Sequence, residues 1–173
     1  MHKNFPNPDE YQLFYEKYIN DYSKISLKKT LKLKLNFSKR ILRSIPKNKW
    51  NFTYAEGKWT VKELIQHILD AERVFVFRAL HIVRKDPNPI FPFDENQYVL
   101  NSKANNRDSK SLIKEFLALS ESSSIFFESL NEEQLNEKVD YNGAQISVRA
   151  LGYILCGHCI HHFKVLKEKY LKY

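Results

Sequence analysis

The sequence predicts an all-α fold, a four-helix bundle with a short N-terminal helix, and three observations support this prediction. Apolar residues recur at helical spacings of three and four in five segments. Side chains that can cap a helix precede three of those segments. The 173 residues include four Gly and six Pro, so few positions interrupt a helix. This length suits a single domain, 1–173, whose core we expect between about residues 9 and 170.

The first two helices are predicted from their apolar residues. The second is expected over residues 26–44, before Pro46. Its middle, "LKLKLNF", also alternates with the period of a strand, but no partner strand is expected nearby, so we favour a helix. The N-terminal helix is indicated by the spacing of Tyr11, Phe14, Tyr15, Tyr18, Ile19 and Tyr22.

The three later helices have clear starts. Thr60 and Glu63 form a capping box in "KWTVKEL", and the three prolines of "KDPNPIFPFD" end that helix. Another helix starts near Asp108, "YNGAQ" predicts a turn, and Ser147 caps the last helix. We expect these helices over about residues 60–83, 108–130 and 147–170.

The composition excludes several classes of protein. There is no run of eighteen apolar residues, which a membrane helix needs, and "MHKNFPNPDEYQLF" lacks the apolar segment of a signal peptide. We therefore expect a cytoplasmic protein without a membrane partner. In that compartment its two cysteines are expected to be free thiols.

The formal charge of +8 is concentrated in one stretch, residues 24–49, which holds ten Lys or Arg and no acid. Clustered cations can bind the phosphates of a nucleic acid, or they can form the solvated face of a lysine-rich helix. No DNA-binding pattern accompanies the charge. We favour the solvated face and do not expect a nucleic-acid partner.

The segment "LCGHCIHH", residues 155–162, has three interpretations: a thiol redox site, a zinc site with sulfur and nitrogen ligands, or a histidine site beside two cysteines. A redox CxxC starts a helix, where the helix dipole lowers a thiol pKa. Cys156 instead lies nine residues after Ser147, inside the last helix. A Cys2His2 site needs a second pair at another spacing, which is absent from the sequence. We expect Cys156 and Cys159 to be small apolar helix residues.

Three histidines are predicted to face the bundle interior. His158 and His162 share the apolar line of the last helix with Leu155, and their i, i+4 spacing places two imidazoles side by side. His67 lies on the capped helix three residues after Leu64. An inward His opposite an inward pair is typical of metal sites in bundle cores.

The other histidines are expected to play smaller parts. His161 lies three residues after His158 but off the apolar line, and we expect it at most to donate a hydrogen bond to a ligand. His81 is expected at the surface or as a helix cap, and His2 in the N-terminal end.

Four segments together resemble the DinB-like superfamily (DinB/YfiT-like proteins). They are "YAEGKWTVKELIQHILDAERVFVFRAL", "FPFDENQYV", "LIKEFLALSESS" and "ISVRALGYILCGHCIHHFKVLKEKY", and the resemblance covers about residues 9–170. A W-T/S-x-K-E-x-x-x-H helix start combined with a late G-H-x-x-H-H helix is specific, whereas either motif alone is weak.

The resemblance implies an up-down-down-up bundle with a three-histidine site for a divalent metal such as zinc or nickel. The family's ligands fall on His67, His158 and His162. Many members are homodimers. The known activities are mostly transfer of bacillithiol, mycothiol or glutathione to electrophiles, or thiol-dependent isomerisation, and other members are described as metal-dependent hydrolases.

Residues near His67 are candidates for supporting roles. Asp70, three residues on, is a weak candidate for a catalytic base or a hydrogen-bond acceptor for a ligand imidazole. Glu72 is expected on another face, paired with Arg73 or a lysine. Arg78 lies three turns further on the same face, where we expect a structural ion pair; contact with a substrate carboxylate is the alternative. The loop "FPFDENQYV" is expected to cover the pocket mouth.

The leading functional hypothesis is a metal-dependent thiol S-transferase that acts on small electrophiles. A metal-dependent hydrolase and a non-catalytic metal or small-ligand binder are the alternatives, since an open metal position can take either water or a thiol. Imidazole ligands suit zinc, nickel, copper and iron alike, so the residues leave the choice of metal open.

Overall fold

The computed structural model describes residues 5–172, and its fold is a mostly helical bundle with one small hairpin. None of the helices in this part of the chain combines the length and apolar character that a membrane span needs. The helices are α1 Glu16–Ile19, α2 Leu27–Ser44, α3 Val61–Val83, α4 Glu95–Ser102, α5 Ser109–Glu128, α6 Glu132–Asn136 and α7 Val148–Val165. The strands are β1 Lys138–Tyr141 and β2 Ala144–Ser147.

Helices α2, α3, α5 and α7 form the bundle. Helix α7 packs against α2 and α3, and α5 packs against the same two, so α2 and α3 lie on one diagonal. Neighbouring residues show that α2 and α7 are parallel and that α3 and α5 run the other way, which confirms the up-down-down-up order. These neighbours are Leu27 with Gly152, Ser38 with Cys159, Lys28 with Glu128, His67 with His162 and Phe75 with His158.

The predicted helix starts are confirmed by their caps. The Thr60 hydroxyl accepts a hydrogen bond from the backbone NH of Glu63, whose carboxylate accepts one from the NH of Thr60. Ser26, Asp108 and Ser147 each accept a backbone NH at the start of α2, α5 and α7. The segment "LKLKLNF" is helical, as expected. A π-helical turn, Leu166–Tyr170, continues α7 to its predicted end.

Three segments differ from the prediction. The N-terminal helix is one α-turn, α1, flanked by 3-10 turns, although most of its apolar stripe is buried as expected. Part of the expected loop forms α4, because Asp94 accepts hydrogen bonds from the next turn. The predicted "YNGAQ" turn joins two strands, with Asn142 and Gly143 both at positive φ, as a tight hairpin turn requires.

The basic stretch lies mainly on α2 with most of its cations exposed. Lys34 is the exception, because its side chain is fully buried and its Nζ lies 2.6 Å from Glu72 Oε1 on α3. The expected pairing of Glu72 with a lysine is therefore confirmed, but inside the core. Burial lowers the pKa of Lys34, but the charge and hydrogen bond of the Glu72 carboxylate are foremost among the effects that oppose it, and the pKa is raised on balance, so the lysine stays charged.

Gly157, within the "CGHC" segment, lies against the N-terminal segment. A Cβ added at this position would overlap the backbone carbonyl of Tyr18. A Cβ added at Gly152, one and a half turns earlier, would meet only side chains, with Leu27 at 2.8 Å. The glycine at 157 therefore allows the backbone around α1 to pack directly on α7.

Replacing Gly157 with Ala should destabilise the protein by about 3 kcal/mol, because backbone cannot rotate away as a side chain can. Gly152→Ala is the matched control and should cost about 1 kcal/mol or less, since Leu27 can change rotamer and Ala favours helix. Urea unfolding of both variants measures the difference. Wild-type stability in Gly157→Ala would contradict the close approach.

Candidate metal centre

The structure brings the three predicted ligands together. His67 Nε2 lies 3.1 Å from His158 Nε2 and 3.2 Å from His162 Nε2, and the latter two atoms are 3.1 Å apart. Three nitrogens that converge in this way cannot all be satisfied by hydrogen bonds among themselves, because each nitrogen of a neutral imidazole either donates an N–H or accepts with its lone pair, but not both. The three residues therefore form a candidate site for a divalent metal.

The spacing of these nitrogens fits three ligands of one ion. Zn–N bonds of about 2.0–2.1 Å place the ligands of a tetrahedral ion about 3.3 Å apart and those of an octahedral ion about 2.9 Å apart. The observed separations, 3.1 to 3.2 Å, lie between these values. Three protein ligands also leave at least one coordination position for a substrate, as in catalytic sites.

The electrostatics of the cluster favour neutral imidazoles, the form that binds metal. Burial lowers the pKa of His67 to about 4 and that of His162 to about 3. Burial and the neighbouring histidines hold the pKa of His158 well below its usual value. All three lone pairs are thus available at neutral pH without competition from protons.

Two antiparallel helices and a ring of aromatic side chains position the cluster. His158 and His162 lie one turn apart on α7, opposite His67 on α3. The Trp59 ring lies 4.7 Å from the His67 ring, centroid to centroid, and the Tyr18 ring lies 5.4 Å from that of His158. Rigid rings on both sides restrict the rotation of the imidazoles.

The histidines lie in a pocket of about 250 Å³. Pro92 and Phe93 line it, which supports the expectation that this loop covers the pocket mouth. The other lining residues are mainly aromatic and come from the N-terminal segment, α3 and the residue before its cap, the start of α4 and the hairpin: Phe14, Tyr15, Tyr18, Trp59, Phe75 and Tyr141, with Ala71, Arg78 and Glu95.

Asp70, the weak candidate for a catalytic base or an acceptor for a ligand imidazole, has its contacts outside the histidine cluster. Its Oδ1 accepts hydrogen bonds from Gln66 at 2.9 Å and Arg73 at 3.3 Å, and it lines a separate surface pocket with Gln97. Asp70 therefore hydrogen-bonds to Gln66 and Arg73, and the imidazole of His67 is not among its partners. Catalysis by Asp70 stays a prediction from sequence that these contacts do not favour.

The other described histidines, His161 and His81, lie outside the cluster of three. His161 is exposed and its ring packs on Tyr18, 5.4 Å away, so it is not one of the three converging ligands. His81 is buried, so its expected surface position is wrong; Phe77 and Asp86 lie beside it. His2 lies outside the described residues.

Both cysteines are buried, free thiols, as expected. Burial raises the pKa of Cys159 to about 12 and also raises that of Cys156, while Lys34 opposes the shift in both. Thiols with raised pKa values are poor nucleophiles. The redox interpretation of "CGHC" therefore has no support in the environment of these residues.

Two residues of the pocket, Trp59 and Tyr141, were not predicted from the sequence. Trp59 had a signal, because it precedes the Thr60 cap within the family motif, where its ring packs on His67. Tyr141 had none, since its place at the pocket depends on the hairpin folding back onto the bundle.

Fold and site together define a helical-bundle protein with a three-histidine candidate metal centre at the base of an aromatic pocket. The family model of the DinB superfamily matches residues 36–166. The chain therefore belongs to the DinB superfamily.

Three proteins are similar to this chain in sequence or in fold. "Putative metal-dependent hydrolase OB0413" of Oceanobacillus iheyensis is 28% identical over 117 residues, and the match spans 66% of each chain, just under two thirds. YfiT from Bacillus subtilis, described as "a probable metal-dependent hydrolase with an unusual four-helix bundle topology", has a TM-score of 0.75 at 15% identity over 96% of this chain and 91% of its own. A mycothiol-dependent maleylpyruvate isomerase has a TM-score of 0.67 at 13% identity, over 82% of this chain and 61% of its own. At these identities the two structures show the shared fold.

Replacing any one of His67, His158 or His162 with Ala should abolish metal binding, because two imidazoles hold a divalent ion far more weakly than three. His161→Ala, on the same helix but exposed, should retain about one ion per chain. Elemental analysis of untagged protein after zinc loading, with circular dichroism to verify folding, measures this. Equal metal content in all four variants would show that the cluster is not the site.

Proposed function

We propose that this protein is a metal-dependent transferase that joins a low-molecular-weight thiol of the bacillithiol or glutathione type to small organic electrophiles. The observation that carries the proposal is the convergence of three neutral imidazoles within 3.2 Å at the base of an aromatic pocket. A divalent ion, with zinc or nickel as our choice, supplies a positive charge there that lowers the pKa of a bound thiol.

The reaction needs no general acid or base from the protein. The thiol sulfur forms a bond to the electrophilic carbon, the bond to the leaving group breaks, and the thiol proton passes to solvent with the leaving group. His67, His158 and His162 would hold the ion, and the rings of Trp59 and Phe75 provide the apolar walls that orient an organic electrophile.

The polar groups of the pocket favour thiol transfer over hydrolysis. Hydrolysis benefits from a base that takes a proton from water. Among the described residues that line the pocket, the one carboxylate is that of Glu95, which is exposed. Burial raises the pKa of Tyr15 and Tyr18, so their hydroxyls stay protonated at neutral pH. An apolar pocket also limits access of competing water.

Metal-dependent hydrolysis is the second candidate. The names of OB0413 and YfiT favour it, and a bound ion can lower the pKa of water as well as that of a thiol. The name of the isomerase favours thiol chemistry on the same fold. A homodimeric, cytoplasmic protein remains our expectation.

The zinc-loaded or nickel-loaded protein should accelerate the loss of bacillithiol, mycothiol or glutathione in the presence of 1-chloro-2,4-dinitrobenzene. His158→Ala should lower the rate at least about 100-fold because the metal is lost, while His161→Ala should stay close to wild type. The absorbance of the thioether product measures the rate. Metal-dependent cleavage of 4-nitrophenyl acetate without any thiol, and no thioether with any thiol, would favour the hydrolase instead.

A further inference from the structure

Arg78 is a buried guanidinium in the same pocket as the three histidines. Its side chain is 2% exposed. Its Cζ lies 4.5 Å from the centroid of the Tyr141 ring and 5.8 Å from that of the Phe93 ring. Its Nη2 donates a hydrogen bond to the carbonyl of Phe91 at 3.1 Å, which ties the covering loop to α3.

The charge of Arg78 has no acidic partner in the described part of the chain. The predicted structural ion pair is not formed. Lys34, the other fully buried cation among the described residues, is paired with Glu72, and the half-buried Arg149 is paired with Glu10. The Nε of Arg78 is enclosed and makes no hydrogen bond to any described residue. A buried charge without a counterion is costly, so structures retain one where something else supplies the opposite charge.

The position of Arg78 relative to the histidines suits a ligand that reaches both. It follows His67 by eleven residues, about 16 Å along the axis of α3. Side chains on a helix lean toward its N-terminus, so the long Arg78 side chain leans toward the cluster. Ala71 and Phe75 lie between them and line the same pocket, which leaves an apolar path between cation and imidazoles.

We infer that Arg78 binds a carboxylate of the substrate while the rest of that substrate extends toward the histidine cluster. A guanidinium donates two parallel hydrogen bonds to a carboxylate and remains charged at any physiological pH. The inference rests on the proposed function for the reaction at the other end of the pocket. It narrows the substrates to small, largely apolar or aromatic molecules that carry a carboxylate.

The carboxylate site can be tested by binding, without any turnover. The probes are benzoate and benzamide, which have nearly the same shape but differ in charge, titrated calorimetrically into the full-length, metal-loaded protein. Arg78→Met should weaken benzoate binding at least about tenfold and change benzamide binding less than about twofold. Arg78→Lys should lie between, because it keeps the charge but not the two parallel bonds.

A second arm separates the carboxylate site from the metal. The same titrations are repeated after the metal has been removed with EDTA, and the difference between wild type and Arg78→Met should persist. The inference is overturned if benzoate binding is lost when the metal is removed but is unchanged by Arg78→Met. It is also overturned if wild type binds no benzoate up to about 10 mM. Because the readout is binding, it stands whether or not thiol transfer is found.

The exposed Glu95 provides a control that does not disturb the core. It is the carboxylate at the pocket mouth, so it repels an incoming anion. Glu95→Gln should therefore tighten benzoate binding about two- to fivefold and leave benzamide unchanged. If Arg78→Met fails to fold, unchanged benzoate affinity in both Arg78→Lys and Glu95→Gln overturns the inference.

Discussion

The convergence of three imidazole nitrogens on one point is the constraint on which the rest of this structure depends. His67 and the His158–His162 pair come from helices that run in opposite directions, so the site exists only when α3 and α7 pack in one register. Burial keeps the three rings neutral, and the aromatic side chains around them hold their orientation. A metal bound there would stabilise the fold as well as supply reactivity, since the unfolded chain lacks the assembled ligands.

Buried charge is distributed unequally on the two sides of the bundle. Lys34 and Glu72 form an ion pair inside the core, where the charge of each offsets the desolvation cost of the other. Neither residue lines the histidine pocket, so we assign the pair a structural role. Arg78 faces the pocket and has aromatic rings, the Tyr15 hydroxyl and one carbonyl as its neighbours. The histidine centre and this cation give the pocket two places where a negative group would be stabilised. This polarity suits an anionic substrate that reacts as an electrophile.

Much of the bundle could be predicted because its signals are local. Apolar spacing and the Thr60 and Ser147 caps determine the helix starts, and the same spacing places the three histidines inward. The hairpin and α4 were missed although each has a local signal, the Asn142–Gly143 turn and the Asp94 cap. A two-stranded hairpin and a helix of two turns are marginal in isolation, so their formation also depends on packing against the bundle, which local patterns do not report. Helical spacing placed Arg78 on the same inward face as His67, but it could not show whether another part of the chain supplies a carboxylate to pair with it. The burial of Lys34 likewise depends on Glu72 across the bundle diagonal.

X-ray absorption at the zinc K edge of the zinc-loaded protein tests the central claim most directly, because it reports which atoms surround the ion. Three neutral imidazoles predict a first shell of nitrogen and oxygen at about 2.0–2.1 Å, with the multiple scattering typical of about three histidine rings. Sulfur at about 2.3 Å would instead place Cys156 or Cys159 on the metal, and a shell without imidazole scattering would remove the ion from the histidine cluster altogether. Either result would contradict a three-histidine centre.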